Sequence, residues 1–452
     1  MTVRKTMAVI AGLALAGAIG LGGCTGGNGP GAAATQAITD AANHAPATIS
    51  VWVFNKLPTE VDAIQASMDR LRATYPWLTI NLVTAKDDTA FAQAVTAGNP
   101  PDVFVTASPT NVAKFCFNGT VIDMNRLIQS AGLDMAATFP DFVLPYTQYQ
   151  GQQCALPLLT DAYALYYNKA MFAAAGITDP PKTLSDLTAD IKRLTIRDAN
   201  GTITQWGMTP PRDDYGQTDS LFAGGQTGAQ FYDANGKATM ATDPTWAELL
   251  TWQKDLLDWY GQDQVQSFVA TYSSHTDDAQ NPFVTGVSAM EFDGEWHIGE
   301  VDANAPDLDY GVAPMAVPDS RATVYGAGNL AGTVVMIPAG SKQQDVAFLA
   351  VQQLTTDTEF LTSFASAMSN VPTTFASLST WEGAADPKWK TFIDMANDPN
   401  SYWKSLTPAG QEDVDTWNKF IQQWEVGQVP DLPTGLSQIA ANIDDLNQQA
   451  VS

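Results

Sequence analysis

A tryptophan beside two carboxylates forms the segment of this chain whose residue types are best suited to chemistry. In FDGEW, Asp293 and Gly294 are followed by Glu295 and Trp296. An indole presents a flat apolar face and carboxylates accept hydrogen bonds, so these residues could bind a ligand that has both hydroxyl groups and exposed C–H surface. A pair of carboxyl groups at a fixed separation could instead hydrolyse a glycosidic bond. The segment therefore indicates either a binding site or a hydrolytic centre.

Polar side chains also follow two predicted strands at their carboxyl ends. They are Asn55 and Lys56 after the first strand, and Thr106, Ser108 and Asn111 after the third. Ligands of open α/β sheets bind at this edge, so we expect these residues to line a site. An ordinary turn is the alternative for each of them.

The elements that position these residues alternate along the chain. TISVWVF, LTINLVT and PDVFVT have the character of strands, and residues 58–75 and 91–97 have helical spacing between them. This order predicts an α/β lobe with a mainly parallel sheet. Further strands are predicted at 164–168, 286–292 and 332–338, with helices at 245–260 and 343–354, and the C-terminal third is predicted to be mostly helical. The pattern contains no clean linker, which favours two lobes joined by several chain crossings.

The composition restricts the classes of partner. The chain has 452 residues, of which 45% are hydrophobic and 15% are charged, and its net charge is −26. This length suits two lobes. An acidic surface repels phosphate groups, so we expect no nucleic-acid partner.

The three histidines are not spaced as metal ligands, and we expect no metal and no cofactor. We expect a monomer.

Residues 1–23 have the features of a signal peptide. Arg4 and Lys5 precede an apolar run at residues 7–21, which is short for a membrane span. The following LGGC resembles the bacterial lipobox, which implies cleavage before Cys24 and lipidation of that cysteine. Simple secretion with an incidental cysteine is the alternative. Residues 24–47, rich in glycine and alanine, are predicted to be a flexible tether.

Four later segments together resemble the family 1 extracellular solute-binding proteins of ABC importers, which bind sugars. They are ALPLLTDAYALYYNKAMFAAAGITDPPKTLSDL, GVSAMEFDGEWHIGEV, YGAGNLAGTVVMIPAGSKQQDVAFLAVQQLTT and SNVPTTFASL, in the order of that family. The resemblance implies a two-lobed periplasmic-binding-protein fold of type II-like topology, an α/β fold with a multi-crossover hinge and a ligand cleft between the lobes. It divides the chain into N-terminal lobe segments at 48–158 and 319–369 and C-terminal lobe segments at 159–318 and 370–452.

The same resemblance assigns ligand-binding residues. It implies that Trp296 stacks on a sugar ring, with Asp293 and Glu295 accepting hydroxyl hydrogen bonds. The other residues it adds are Asp161 and Tyr163 after the predicted hinge, and Asp214 and Tyr215 in a later loop. Helix or turn capping is the alternative for Asp161. Asn329 is a further candidate, because it lies in a glycine-rich loop that a ligand can approach closely. The tryptophan and the acidic–arginine pair that maltose-type members have after the third strand are missing here, which puts a maltodextrin ligand in doubt.

The remaining cysteines, Cys116 and Cys154, are expected to pair differently according to the cellular compartment of the protein. Outside the cytoplasm such a pair favours one disulfide, whereas a zinc site would need further ligands. Together with the lipobox, this predicts a protein anchored by lipid to the extracellular face of the cell membrane, as in Gram-positive lipoproteins.

The leading hypothesis is a receptor that captures a mono- or oligosaccharide and delivers it to the permease subunits of an ABC transporter. It would contact the membrane only through its N-terminal lipid anchor, and it would not be an enzyme. The same fold could instead bind a polyamine, which suits the acidic balance, or a peptide or an anion. A secreted glycoside hydrolase is the third reading, since carboxylates and tryptophans also line hydrolase clefts.

Overall fold

The structure is a computed structural model that describes residues 45–212, 229–276, 278–404 and 406–452. The predicted signal peptide, the lipidation site Cys24, the tether up to residue 44, and the loop residues Asp214 and Tyr215 lie outside these residues.

Strands and helices alternate in the first part of the chain, as the sequence pattern predicts. The strands are β1 (Ala47–Val53), β2 (Leu78–Val83), β3 (Val103–Thr106), β4 (Gln148–Tyr149), β5 (Gln152–Gln153), β6 (Leu156–Asn168), β7 (Ile196–Arg197), β8 (Ile203–Gln205), β9 (Met290–Gly294), β10 (Tyr310–Ala313), β11 (Leu330–Met336) and β12 (Val371–Pro372).

The helices occupy most of the remaining chain. They are α1 (Pro58–Thr74), α2 (Asp88–Thr96), α3 (Val112–Phe117), α4 (Asn125–Ala131), α5 (Met135–Thr138), α6 (Lys169–Ala175), α7 (Leu184–Leu194), α8 (Pro244–Tyr260), α9 (Gln262–Tyr272), α10 (His297–Asn304), α11 (Gln344–Thr356), α12 (Thr358–Met368), α13 (Phe375–Thr380), α14 (Pro387–Asn397), α15 (Gln411–Glu425) and α16 (Leu432–Ala450).

A parallel sheet centred on β1 forms the first lobe. Strand β1 pairs in parallel with β2 on one side and with β3 on the other. Its side chains alternate between the buried core and the half-buried face, with Ile49, Val51 and Val53 in the core. Helix α1 packs its buried side chains Ile64, Met68 and Leu71 against this sheet. The carboxyl ends of β1 and β3 thereby lie at one edge of the lobe.

The long strand β6 connects this lobe to the second one. The first half of β6 pairs with β11 and β12, and β11 in turn pairs with β3 of the first lobe. The second half of β6 pairs with β9 and β10. Sequence reasoning predicted a hinge followed by a separate short strand here, whereas the structure has one continuous strand. Asp161 and Tyr163 consequently lie within β6 and not in a turn after the hinge.

The second lobe has its own core, made largely by helices. It contains Leu187 of α7, Trp246 of α8, Phe292 of β9, Trp417 of α15 and Ile443 of α16, all of them buried. The rings of Trp246 and Trp417 meet edge to face at 4.9 Å, so these two tryptophans pack the core of the second lobe.

Cys116 and Cys154 form a disulfide in the structure, with Cα atoms 5.8 Å apart. Both cysteines are buried in a small core beside Phe104 and Tyr146 of the first lobe. The disulfide thus joins α3 to the segment that leads into β6. Within the described residues, no helix is both long enough and apolar enough to cross a bilayer.

Candidate functional site

A cavity of about 680 Å³ lies where the two lobes meet. One wall comes from the start of α1 and the end of α12, the opposite wall comes from α10, and β6 and β11 lie between them. The lining side chains are Phe54, Leu57, Glu60, Ala107, Asp161, Tyr163, Trp296, Gly299, Glu300, Ala303, Asn304, Ala331, Thr333, Ala367, Met368, Ser369 and Asn370. We call this space the cleft. A cavity of this size matches small-molecule sites, which occur preferentially between domains.

Trp296 and Tyr163 form the aromatic wall of the cleft. Tyr163 of β6 pairs with Gly294 of β9, and Trp296 follows that strand by two residues as the N-terminal cap of α10. The two rings are perpendicular, with centroids 5.2 Å apart. A Cβ on Gly294 would lie 2.3 Å from the Trp296 indole, so glycine at this position allows the indole to lie against the strand. The wall therefore offers flat faces for an apolar ligand surface.

Asp161, which is partly buried, and Glu295, which is fully buried, form a pair of carboxyl groups bridged by an amide. The Nδ2 of Asn370 donates a hydrogen bond to Asp161 Oδ1 and another, at 3.3 Å, to Glu295 Oε1. The backbone N–H of Ala162 donates to Glu295 Oε2 at 2.8 Å. Glu295 is fully buried and does not line the cleft, whereas Asp161 and Asn370 do.

Burial sets the protonation of this pair. It raises the pKa of Asp161 to about 7, an effect that the hydrogen bond from Asn370 only partly offsets. Burial, and then the charge of Asp161, raise the pKa of Glu295 well above its usual range. Two carboxylates this close are costly to ionise together, so the pair tends to retain a proton.

A second buried cluster lies behind Trp296. His297 Nδ1 is 2.8 Å from Glu300 Oε2 and 3.6 Å from Asp293 Oδ2, and its Nε2 is 3.8 Å from Glu291 Oε2. Burial raises the pKa of Asp293 to about 8, although His297 opposes the shift. Ligand atoms of Asp293, His297 and Glu300 lie within 4.8 Å of one another, which is a possible metal donor set. The hydrogen-bond contact of His297 with Glu300 accounts for this arrangement without an ion.

The predicted residues around FDGEW thus divide into two groups. Trp296 faces the cleft. Asp293 and Glu295 are buried in β9 and just after it, and their carboxylates are used within the protein. They were predicted to accept hydrogen bonds from a ligand, but the structure instead places them behind the cleft surface. Burial on both faces of β9 is the reason, because it leaves its acidic residues no route to solvent.

The residues predicted after β1 do not line the cleft, but one of them supports it. Asn55 is buried, and its Nδ2 donates to Glu60 Oε2 at 3.2 Å and lies 3.1 Å from Met368 Sδ. Both partners line the cleft, so Asn55 holds the wall from behind. Lys56 is exposed. Sequence reasoning missed Glu60 itself, although a carboxylate in the first turn of the helix that follows a strand end was the available signal.

The residues predicted after β3 converge on a different place. Thr106 Oγ1 donates to Asp88 Oδ1 at 2.6 Å, and Asn111 Nδ2 donates to Asp88 Oδ2 at 2.5 Å. Asn111 Oδ1 accepts from the backbone N–H of Gln411, at the start of α15. Ser108 and Asn111 line a separate groove that does not include Trp296. This loop therefore joins the first lobe to α15. Its Ala107 lines the cleft, but the predicted residues Thr106, Ser108 and Asn111 do not.

A smaller cavity of about 150 Å³ adjoins the cleft. It shares Tyr163 and Ala331 with the cleft and includes Asn329, Trp403 and Lys404. Lys404 Nζ lies 2.7 Å from Asp413 Oδ1, so its charge is neutralised within the protein. The predicted residue Asn329 lines this smaller cavity and not the cleft, whereas Trp296 lines only the cleft.

Two lobes that share the long strand β6, with an aromatic and acidic cleft between them, are the architecture of a solute-binding protein. The chain belongs to the family described as bacterial extracellular solute-binding protein, whose model matches residues 57–359. The family resemblance deduced from the sequence is confirmed, and family members function outside the cytoplasm as binding proteins.

Individual relatives are distant. A maltotriose-binding protein of Pyrococcus abyssi is 24% identical over 342 residues, which cover 75% of this chain and 69% of that protein. A diacetylchitobiose-binding protein of Streptomyces coelicolor is 26% identical over 156 residues, 33% of this chain and 35% of that protein. The solved structure of CpMnBP1 with mannotriose bound is 24% identical, has a TM-score of 0.76, and is matched over 88% of this chain and 99% of its own. This likeness confirms the predicted two-lobed α/β fold.

Proposed function

We propose that the protein captures a carbohydrate, an oligosaccharide, in the cleft and delivers it to the permease of an ABC transporter. The observation that supports the ligand class is the combination of the perpendicular Trp296 and Tyr163 rings with the Asp161 carboxylate in one cavity. Sugar rings present C–H faces to aromatic side chains and hydroxyl groups to carboxylates and amides. Since a fold does not by itself determine a ligand, the side chains of the cleft are the stronger argument.

The names of the relatives support the same class. The maltotriose-binding, diacetylchitobiose-binding and mannotriose-bound proteins are all named for saccharides. These proteins are binding proteins, which favours capture over hydrolysis here. The smaller cavity beyond Tyr163 would accommodate part of a second or third sugar unit, so we propose an oligosaccharide ligand.

The position of the protein in the cell completes the proposal. Cys24 would receive the lipid anchor, and the residues between it and β1, which begins at Ala47, would form the tether between the membrane and the lobes. Several acyl chains would hold the protein stably at the membrane, whereas one chain would bind reversibly. Mass spectrometry of the protein from its native membrane tests this part. A lipid-modified peptide that begins at Cys24 supports it, and an unmodified N terminus contradicts it.

A thermal-shift screen tests the ligand class, because a ligand that binds the folded state raises the apparent stability. The panel consists of mannobiose, mannotriose, maltotriose, cellobiose and N-acetylated chitobiose, with putrescine as the non-sugar comparison. We expect at least one saccharide to raise Tm and to lose this effect in Trp296→Ala. Trp259→Ala is the matched control, since Trp259 is half-buried on α8 and lines neither cavity. A shift with putrescine and with no saccharide would contradict the proposal.

A further inference from the structure

The ionisable side chains that line the cleft are unbalanced in charge. Among the described residues that line it, the carboxylates are Glu60, Asp161 and Glu300, and the lining includes no lysine or arginine. Tyr163 is the other titratable group there. A ligand that enters the cleft therefore meets three carboxyl groups and no cationic side chain from the described wall.

Each of these three carboxyl groups contacts a protein hydrogen-bond donor through only one of its two oxygens. Asp161 Oδ1 accepts from Asn370, Glu60 Oε2 accepts from Asn55, and Glu300 Oε2 lies against His297 Nδ1. The second oxygen of each group has no hydrogen bond to a described residue. These oxygens are thereby oriented by their neighbours and still have lone pairs for a donor on the ligand.

Two other buried carboxylates of the chain are balanced by cationic side chains. Asp413 lies 2.7 Å from Lys404 Nζ, and Glu425 lies 3.6 Å from Arg212 Nε, in both cases with little or no exposure. The Asp161–Glu295 pair has a neutral amide, Asn370, in the corresponding place. A buried carboxylate without a cation is costly, and a cationic ligand group would offset that cost.

We propose that the cleft selects a saccharide with a free amine, an amino sugar, whose ammonium group lies against Asp161. This inference rests on the proposed function and narrows its ligand. The ammonium would supply the positive charge that the wall lacks, while Trp296 and Tyr163 contact the sugar ring. Burial already raises the pKa of Asp161 to about 7, and a bound ammonium would favour its ionised form. Glu60 and Glu300 would accept from the remaining hydroxyl and amine hydrogens.

Three disaccharides with the same linkage test the inference by calorimetry at pH 6.5. They are the β-1,4-linked disaccharide of glucosamine, its N-acetylated form, and cellobiose, which has a hydroxyl group at the same carbon. We expect the amine to bind about tenfold more tightly than cellobiose, which corresponds to ~1.4 kcal/mol. The preference should decrease with added salt, because a charge pair of this kind is partly screened.

Variants separate the charge of Asp161 from its packing. Asp161→Asn should bring the affinities for amine and hydroxyl disaccharides to within about twofold of each other, as expected when one charge pair is lost. Asp394→Asn removes the same charge from an exposed pair with Lys390 on α14, outside the cleft, and should retain the preference. Glu300→Gln is the second variant, for use if Asp161→Asn fails to fold, because it leaves the Asn370 bridge intact. It should also weaken the preference for the amine disaccharide.

The outcomes distinguish the two proposals. Equal affinity of the wild type for the three disaccharides, or tighter binding of the N-acetylated form, overturns the amino-sugar inference and leaves saccharide capture standing. An amine preference that persists in both Asp161→Asn and Glu300→Gln also overturns it. Failure of the amine disaccharide to bind, with another saccharide bound in a Trp296-dependent way, contradicts this inference alone. If no saccharide binds, both the amino-sugar inference and the proposed saccharide capture are contradicted.

Discussion

The indole of Trp296, just after the end of β9, meets the phenol ring of Tyr163, in the middle of β6, at 88° with ring centroids 5.2 Å apart. The β6–β9 register sets this relationship, because Tyr163 pairs with Gly294 and Trp296 follows two residues later. Each ring thus fixes the other beside the Asp161 carboxylate, and predictions about ligand binding depend on this pair.

Gly294→Ala should weaken saccharide binding. The added Cβ would lie 2.3 Å from the indole of Trp296, so the ring must leave its position against β9. Calorimetry should show a loss of affinity of about 1–2 kcal/mol, as for a displaced aromatic anchor. Gly328→Ala is the control, since its nearest neighbour is the flexible end of Met395 at 3.3 Å. Unchanged affinity in Gly294→Ala would show that saccharide binding does not depend on the position of the Trp296 indole.

Asn370→Ala should destabilise the protein. Its amide is the side-chain donor shared by Asp161 and Glu295, and its loss would leave both carboxyl groups, one partly and one fully buried, with fewer hydrogen bonds. We expect the free energy of unfolding to fall by about 1–3 kcal/mol in denaturant titrations. Asn200→Ala, at an exposed turn, should have little effect. If the free energy of unfolding falls no further in Asn370→Ala than in Asn200→Ala, the bridge does not stabilise the fold.

Stability of the unliganded protein should decrease as the pH rises from about 5 to 8. The pKa of Asp161 is raised from 3.8 to about 7 and that of Asp293 to about 8. A carboxyl group with a raised folded-state pKa binds its proton more tightly when folded. Its stabilising effect is complete below the unfolded pKa and is lost as pH rises through the folded pKa, at up to ~1.4 kcal/mol per pH unit for each group.

Substitution isolates these contributions to the pH dependence. Asp161→Asn and Asp293→Asn should each reduce the slope of the free energy of unfolding against pH, and Asp394→Asn should leave it unchanged. Denaturant titrations at several pH values measure the slope. A stability that rises with pH in this window in the wild type would contradict the assigned protonation.

Removal of the disulfide should lower stability without changing the ligand site. Cys116 and Cys154 are separated by 38 residues, and a crosslink of that length contributes about 3–4 kcal/mol in the chain-entropy model. The double Cys→Ala variant should lose stability of this order in denaturant titrations. Its saccharide affinity should match that of the wild type, since neither cysteine lines the cleft. Equal stability of the variant and the wild type would contradict a structural role for the bond.

The first lobe was largely predictable from sequence because its elements are locally encoded. Apolar alternation in β1 and helical spacing in α1 each require only neighbouring residues, and the observed bounds agree within about one residue. The length of β6 was not predictable in this way. Its pairing with β11 and β12 in one half, and with β9 and β10 in the other, depends on segments more than a hundred residues distant.

The cleft was predictable only in part. Trp296, Asp161 and Tyr163 were predicted and do line it. Asp293 and Glu295 are acidic residues next to a candidate anchor, a pattern that fits exposure as well as burial. Their burial follows from the packing of β9 against β6 and α10, which no local pattern encodes. Glu60 and Asn370 reach the cleft from separate elements for the same reason.

Saccharide binding measured by calorimetry in the wild type and in Trp296→Ala tests the central claim most directly. The ligand is the saccharide with the largest thermal shift, and Trp259→Ala is the control. The account predicts saturable binding by the wild type and the control, and affinity lower by about 2 kcal/mol or more in Trp296→Ala with an unchanged Tm of the unliganded protein. Equal affinity in all three proteins, or no binding of any saccharide to the wild type, would contradict it.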